Sequence, residues 1–343
     1  MFFLDWCTNI FTYSSLPDWI PLPTVNDVLD VKLAREGQWT QKKSTAVNSE
    51  SLFQQASSET SQYLSPKTKL NTIKSKVKKV IKEDSERQRA EHAKELIKQG
   101  RLIQLLQEME MDATWKSYLF ALPKGTMKFI LNSTIDTLPT KTNLKLWGLS
   151  GSDKCKLCGR KETTKHILSA CDTALNQGRY TFRHNRVLKQ ITNNIDTNVY
   201  TFYSDLEGQC IEGGTIPPDV LVTAEKPDIV ILHRLIKHIV VIELTCPWEE
   251  NLEDARQRKS NKYAPLIADI EQKGYSVEYF PLEVGARGII NKINKETIKD
   301  ISLYTSTTIN TKNLIKALSK EAVIASYYIF LSRNERDWTN DLT

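Results

Sequence analysis

The stretch KPDIVILHRLIKHIVVIELT, residues 226–245, decides the fold class. Residues 229–232 and 239–242 are two short apolar runs rich in Ile and Val, each bounded by polar residues. Runs of this length and composition read as strands buried on both faces. Residues 251–273 follow with the pattern of a helix closed by Gly274, and residues 275–284 read as a further strand. With the helix expected from residue 172 through Leu188, the order is helix, strand, strand, helix, strand. That alternation defines an α/β unit. After Leu188 and before the first strand the chain reads as a loop carrying Gly208, Gly213, Gly214, Pro217 and Pro218.

Two acids stand out in this unit. Asp228 opens the first strand behind Pro227, and Glu243 interrupts the apolar run 239–244. An ionised carboxylate in a buried strand is costly unless it is paired, hydrogen-bonded or bound to a metal. Paired as a hairpin, the two strands bring Asp228 and Glu243 to one end of the sheet. Two carboxylates so placed suit Mg²⁺ or Mn²⁺, hard cations that take oxygen ligands. Such an ion activates water and stabilises charge on a phosphodiester. A lysine would complete the site, and Lys259 and Lys262 share one face of the following helix. Either of the two meets the requirement. Each acid alone reads more readily as a solvated strand-end carboxylate; only their combination with a lysine-bearing helix points to catalysis.

Upstream, Cys155, Cys158, His166 and Cys171 form the pattern C-x2-C-x7-H-x4-C. Zinc takes four such ligands at tetrahedral corners. The C-x2-C turn, closed by Gly159, supplies two of them; His166 and Cys171 supply the others from a helical turn and the residue beyond it. Four protein ligands leave no corner for water, so the expected Zn²⁺ is structural. Cys7, Cys210 and Cys246 have no ligand spacing and read as packing residues.

The charge is unevenly spread. The 343 residues carry a formal +6, and 40% are hydrophobic, a composition that excludes wholesale disorder and a disulfide scaffold. Residues 66–101 carry +7 and residues 151–200 carry +5, whereas residues 1–65 carry −3 and residues 201–343 carry −4. A basic middle suits a polyanionic partner, although charged helices more often simply face water. The basic segment has Leu70, Ile73, Val77, Val80 and Ile81 at helical spacing, and with the residues that follow it reads either as one long helix or as two broken at Gly100. Residues 44–62 are rich in Ser, Thr, Gln and Glu. No apolar run approaches the length of a membrane span, and the start lacks the basic region of a secretion signal.

Several segments, taken in order, resemble one family. They are Asp136-Thr137-Leu138-Pro139-Thr140-Lys141-Thr142-Asn143-Leu144 before Trp147, the Cys-Cys-His-Cys knuckle, and Arg179-Tyr180-Thr181-Phe182-Arg183-His184-Asn185. Next are Lys226-Pro227-Asp228, Glu243-Leu244-Thr245 and Arg258-Lys259-Ser260-Asn261-Lys262-Tyr263, and last Leu282-Glu283-Val284-Gly285-Ala286-Arg287-Gly288. Together they resemble the C-terminal region of target-primed, non-LTR retrotransposon proteins that carry a restriction-enzyme-like endonuclease. The resemblance spans roughly residues 112–335.

It implies a CCHC zinc knuckle followed by a PD-(D/E)xK core, a mixed sheet flanked by helices. That core nicks DNA so that the freed 3′ end primes reverse transcription. By position, Asp228 and Glu243 become the metal-binding acids, and Lys259 or Lys262 the catalytic lysine. Arg183 and His184 match a basic-His-Asp motif concerned with nucleic-acid binding or with support of the site. Thr245 stands where a third motif residue would be, and Asn185 replaces the family's Asp. No Tyr-x-Asp-Asp polymerase signature is present. The implied partners are DNA, with RNA second, and no membrane; the implied location is nuclear. The expected organisation is a poorly structured segment 1–65, a basic helical segment 66–111, a lead-in and knuckle 112–175, a nuclease core 176–290 and a helical segment 291–343.

Overall fold

A computed structural model of the protein describes residues 66–98, 100–108, 113–211, 214–305 and 310–338. The expectation for residues 1–65, and Cys7 with it, lies outside the described residues. The chain divides into two compact units, Met1–Ile97 and Lys98–Thr343.

In the first unit, α1 (Pro66–Glu95) is a single helix of 30 residues. Lys79 and Glu83, and Lys82 and Glu86, pair at 3.8 and 3.5 Å one turn apart. The exposed Lys79–Glu83 pair adds only about 0.3–0.5 kcal/mol, whereas Glu86 is buried. Val80 and Ile81 are exposed.

The second unit has α2 (Gly100–Glu108) as its first helix, so of the two alternatives, one helix or two, the two-helix one holds. Leu102 of α2 packs with Leu252 and Ile289, and Arg101 pairs with Glu250 at 2.8 Å. Then come α3 (Lys124–Thr134), α4 (Lys141–Leu146), α5 (Asp172–Asn176) and α6 (Arg179–Thr192). The one helix expected from residue 172 is therefore two. Gly178, at φ 73°, takes the left-handed conformation that separates α5 from α6.

The sheet has four strands in the order β1-β2-β3-β4, namely Thr201–Ser204, Ile229–His233, His238–Thr245 and Ser276–Glu283. The first three are antiparallel, and β4 lies parallel to β3 after the crossover helix α7 (Leu252–Gln272). Gly274, at φ 82°, ends the crossover as expected. Strand β1 falls in the region expected to be loop. It is an edge strand of four residues, too short for a period-2 pattern to be read against its flanks.

Alternation along β2 and β3 sorts side chains between two cores. Ile229, Ile231, Val240, Ile242 and Leu244 pack against α6 and against α8 (Lys292–Ile301) and α9 (Thr311–Leu331). Val230, Leu232, Ile239 and Val241 face Tyr263, Leu266 and Ile270 of α7. With helices on both faces, the strands read as continuous apolar runs. Among the described residues no helix is long and apolar enough to cross a membrane.

The Leu282–Gly288 segment is structural. Arg287 is 5% exposed, and its Nε donates to Glu249, which is fully buried, at 2.8 Å. Its backbone N–H donates to the same carboxylate at 2.6 Å, and its guanidinium stacks 4.0 Å from the Trp248 ring. Gly288 sits at φ 72°, where a Cβ would come 2.6 Å from the Ser319 carbonyl oxygen. Removing one partner of a buried pair strands the other charge. Arg287→Ala is expected to cost about 3–5 kcal/mol in urea unfolding. The double variant Arg287→Met, Glu249→Met should recover much of that loss; no recovery would refute the stranded-charge explanation.

Candidate zinc centre and carboxylate site

The lead-in to the knuckle is a hydrogen-bonded clamp. Thr140 caps α4 by accepting from Asn143 N at 3.2 Å. The buried Asn143 amide donates to the carbonyls of Asp136 and Leu138, both at 2.8 Å. Thr164 donates to Asp136 at 2.7 Å, which fastens the clamp to the segment holding His166.

Cys155, Cys158, His166 and Cys171 converge with all their ligand atoms within 4.8 Å of one another. Cys158 Sγ and His166 Nε2 are 3.2 Å apart. Gly159, at φ 75°, closes the C-x2-C turn with its N–H on Cys155 O at 2.9 Å. His166–Ala170 forms a π turn, and Cys171 follows in extended backbone. The expected helical turn is thus a wider one, which presents His166 and Cys171 to the same point.

Burial pushes the Cys155 thiol up and the Cys171 thiol up to about 11. Thiolates at these positions therefore need a cation beside them. Burial, with Arg160 nearby, lowers the pKa of His166 and favours the neutral ring that binds metal. Three sulfurs and one imidazole in this arrangement are the donor set of a structural zinc site. Tyr180 braces the centre from α6: its hydroxyl accepts from Cys171 N at 3.0 Å and donates to Ile167 O at 3.1 Å.

The two acids of the sheet meet at one end of the hairpin. Ile229 pairs with Ile242, so Asp228 lies opposite Glu243. Glu243 shares parity with Ile239 and Val241, which turns it towards α7. Asp228 N donates to Glu243 Oε2 at 3.2 Å, and Leu244 N to Asp228 Oδ2 at 2.7 Å. Lys259 Nζ pairs with Glu243 Oε1. Lys262 turns elsewhere, to Glu225 at 2.9 Å. Burial raises the pKa of Glu243 and the neighbouring Asp228 raises it further, against the opposing pull of Lys259.

His184 stands on Asp228, with Nε2 at 3.1 Å from Oδ2, and its Nδ1 lies 3.2 Å from Asn185 Oδ1. Burial alone would lower its pKa. Asp228, then Asn185 and Glu243, outweigh that effect and hold it at about 9. The Asn185 amide oxygen gives the ring an acceptor.

Arg183 departs from the expectation of a nucleic-acid contact. It is 1% exposed, and its guanidinium donates to Leu168 O and Cys246 O, both at 2.8 Å. It joins the knuckle segment to the end of β3. Arg179 is equally internal, bonded to the carbonyls of Ser332 and Glu335. Cys246 is packed beside Arg183, but Cys210 is exposed and is not a packing residue. Sequence reasoning missed Tyr180, Asn143 and Tyr263 as supports. Their signal was present only as membership in the quoted segments.

The cysteine–histidine centre and its clamp define a zinc-binding domain. Residues 96–177 match the family described as zinc-binding in reverse transcriptase. The zinc-binding part of the chain is thus similar to the domain that accompanies reverse transcriptases. No curated protein matches the chain.

Proposed function

We propose that the chain is a metal-dependent endonuclease that nicks DNA by phosphodiester hydrolysis. In this reading it is the cutting end of a non-LTR retrotransposon protein, with a PD-(D/E)xK-like core beside its zinc-binding domain. The observation that carries the proposal is the meeting of Asp228, Glu243 and Lys259 at one end of the sheet, on the side of α7.

The donor set fits Mg²⁺ or Mn²⁺. Two carboxylates offer hard oxygens, their mutual repulsion favours a cation between them, and Asp228 Oδ2 is held by Leu244 N and His184 while no described residue donates to Oδ1. The ion supplies a polarised water and offsets charge on the phosphate. The chain's residues do the rest. Asp228 and Glu243 hold the ion, and His184 keeps Asp228 in place. Lys259 orients the attacking water and takes part in moving its proton. Water oxygen bonds to phosphorus, the P–O3′ bond breaks, and a proton goes to O3′, leaving a free 3′ hydroxyl. A 3′ hydroxyl is the end that target-primed reverse transcription extends.

The test is incubation of the purified, zinc-loaded protein with supercoiled plasmid in Mg²⁺ or Mn²⁺. Open-circular DNA is expected from wild type and only background from Asp228→Ala. A wild-type protein that makes no nicks, or an Asp228→Ala variant that nicks equally well, refutes the endonuclease and leaves a zinc-stabilised nucleic-acid-binding protein.

A further inference from the structure

We infer that Tyr263 is a positioning residue for the carboxylate site, fixing the segment that delivers Asp228 against the helix that delivers Lys259. The inference rests on the endonuclease reading and adds a residue to it. Tyr263 is 1% exposed and sits on α7 one turn beyond Lys259. Its ring is held in the α7 core with Val230, Ile239, Val241 and Leu266, so the hydroxyl has a fixed position. That hydroxyl donates to Lys226 O at 3.2 Å and accepts from Lys262 Nζ at 3.2 Å. Both capacities of a buried phenol are therefore used.

Lys226 lies two residues before Asp228, on the far side of Pro227. The Tyr263–Lys226 bond thus anchors the entry to β2 just where Asp228 leaves the sheet. The same ring lies 4.5 Å from Lys262 Nζ and 5.9 Å from Lys259 Nζ, so it also touches the cations of the helix. Lys262 is held from its other side by Glu225, at 2.9 Å, in that same entry segment. One hydroxyl consequently sets the spacing between the acid-bearing strand and the lysine-bearing helix. Glycine at 214 supports the arrangement, since a Cβ there would lie 3.2 Å from the Lys226 side chain.

Tyr263→Phe isolates this role, because it keeps the ring, its packing and the ring's approach to both lysines, and removes only the hydroxyl with its bonds to Lys226 O and Lys262 Nζ. Two readouts are taken on the full zinc-loaded chain: Mn²⁺ affinity from the spin-resonance signal of free Mn²⁺, and plasmid nicking rate. Affinity is expected to fall about three- to tenfold, the effect of one misplaced ligand hydrogen bond. Nicking is expected to fall about ten- to a hundredfold, as displacement of reacting groups does. Zinc content should be unchanged. Tyr279→Phe, the neighbouring ring of the same core, should alter neither readout.

A Tyr263→Phe protein that binds Mn²⁺ and nicks like wild type overturns the inference while the endonuclease stands. A wild type that binds Mn²⁺ through Asp228 without nicking overturns the endonuclease, and the affinity arm still decides Tyr263. Mn²⁺ binding indifferent to Asp228→Ala overturns the positioning role together with its site.

Discussion

Lys259→Met is expected to lower the nicking rate by roughly 10²–10⁴-fold, the usual contribution of a positioned acid–base group. Lys262→Met should stay within about tenfold of wild type, as expected for a group acting only through position. Helical spacing alone leaves the two lysines equivalent, three residues apart on one face. Their partners separate them. Lys259 Nζ pairs with Glu243, whose side chain is 2% exposed, and the lysine itself is largely covered. Lys262 is about half exposed, and its ammonium is spent on Glu225 and the Tyr263 hydroxyl.

Methionine nearly matches the lysine stem in volume, so the substitution removes charge more than packing. It also leaves Glu243 buried beside Asp228 without its cation, which raises a pKa already raised by burial. In metal-free protein the sign follows. A carboxyl whose folded pKa lies above its unfolded value loses stability as pH rises through that folded pKa. The stability gap between wild type and Lys259→Met should therefore be small near pH 4 and wider at pH 8, read as a shift in urea midpoint. Nicking measured at saturating Mg²⁺ separates lost chemistry from weakened metal binding. Equal losses in the two variants, or the larger loss at Lys262, would sink the assignment of Lys259.

The hairpin and its acids were legible because each rests on a local rule. Two apolar runs joined by residues 233–238 can pair antiparallel, and Glu243 falls on the face of Ile239 and Val241 by counting alone. The four zinc ligands were legible for the same reason, since their spacing is short-range. What the sequence hid depends on distant partners. Arg183 looks like a surface cation among basic neighbours. It is buried because acceptors arrive from Leu168, 15 residues upstream, and from Cys246, 63 residues downstream. Arg287 and Glu249 likewise find each other across 38 residues, with Ser133 from yet another part of the chain on the same guanidinium. Strand β1 has no signature of its own because its pairing with β2, not its composition, makes it a strand. Local pattern thus placed the two acids and the zinc ligands, and long-range pairing decided which polar residues are fasteners.

Stripping zinc is expected to release the knuckle while the sheet stays folded. The reason lies in what packs there. The small cluster around the centre consists of Cys155, Cys171 and Ala174, with Leu157, Cys158 and Tyr180 against it, so half of that core is ligand. Remove the ion and the buried Cys155 and Cys171 return to their protonated form, leaving only Leu157, Ala174 and Tyr180 as apolar mass to hold the turn. Structural zinc in finger peptides contributes about 10–16 kcal/mol of apparent binding energy, far more than this cluster offers by itself. The sheet rests on separate cores against α6, α7, α8 and α9 that include none of the four ligands.

Hydrogen exchange after chelation, or in Cys171→Ser, should therefore show lost protection at Cys155 N and Gly159 N, which close the C-x2-C turn. Amides of Val240 and Ile242 in β3 should keep theirs. Between these extremes, Ile167 and Leu168 pack with Phe129, Trp248 and Phe330, and partial loss there would mark how far the disturbance travels. Restoring zinc should restore protection, with affinity falling as pH falls because each thiol must give up its proton to bind. Turn amides as well protected without zinc as with it would refute a metal-held knuckle. Loss of β3 protection at the same rate would instead mean that zinc holds the whole second unit, and that the knuckle and the sheet fold only together.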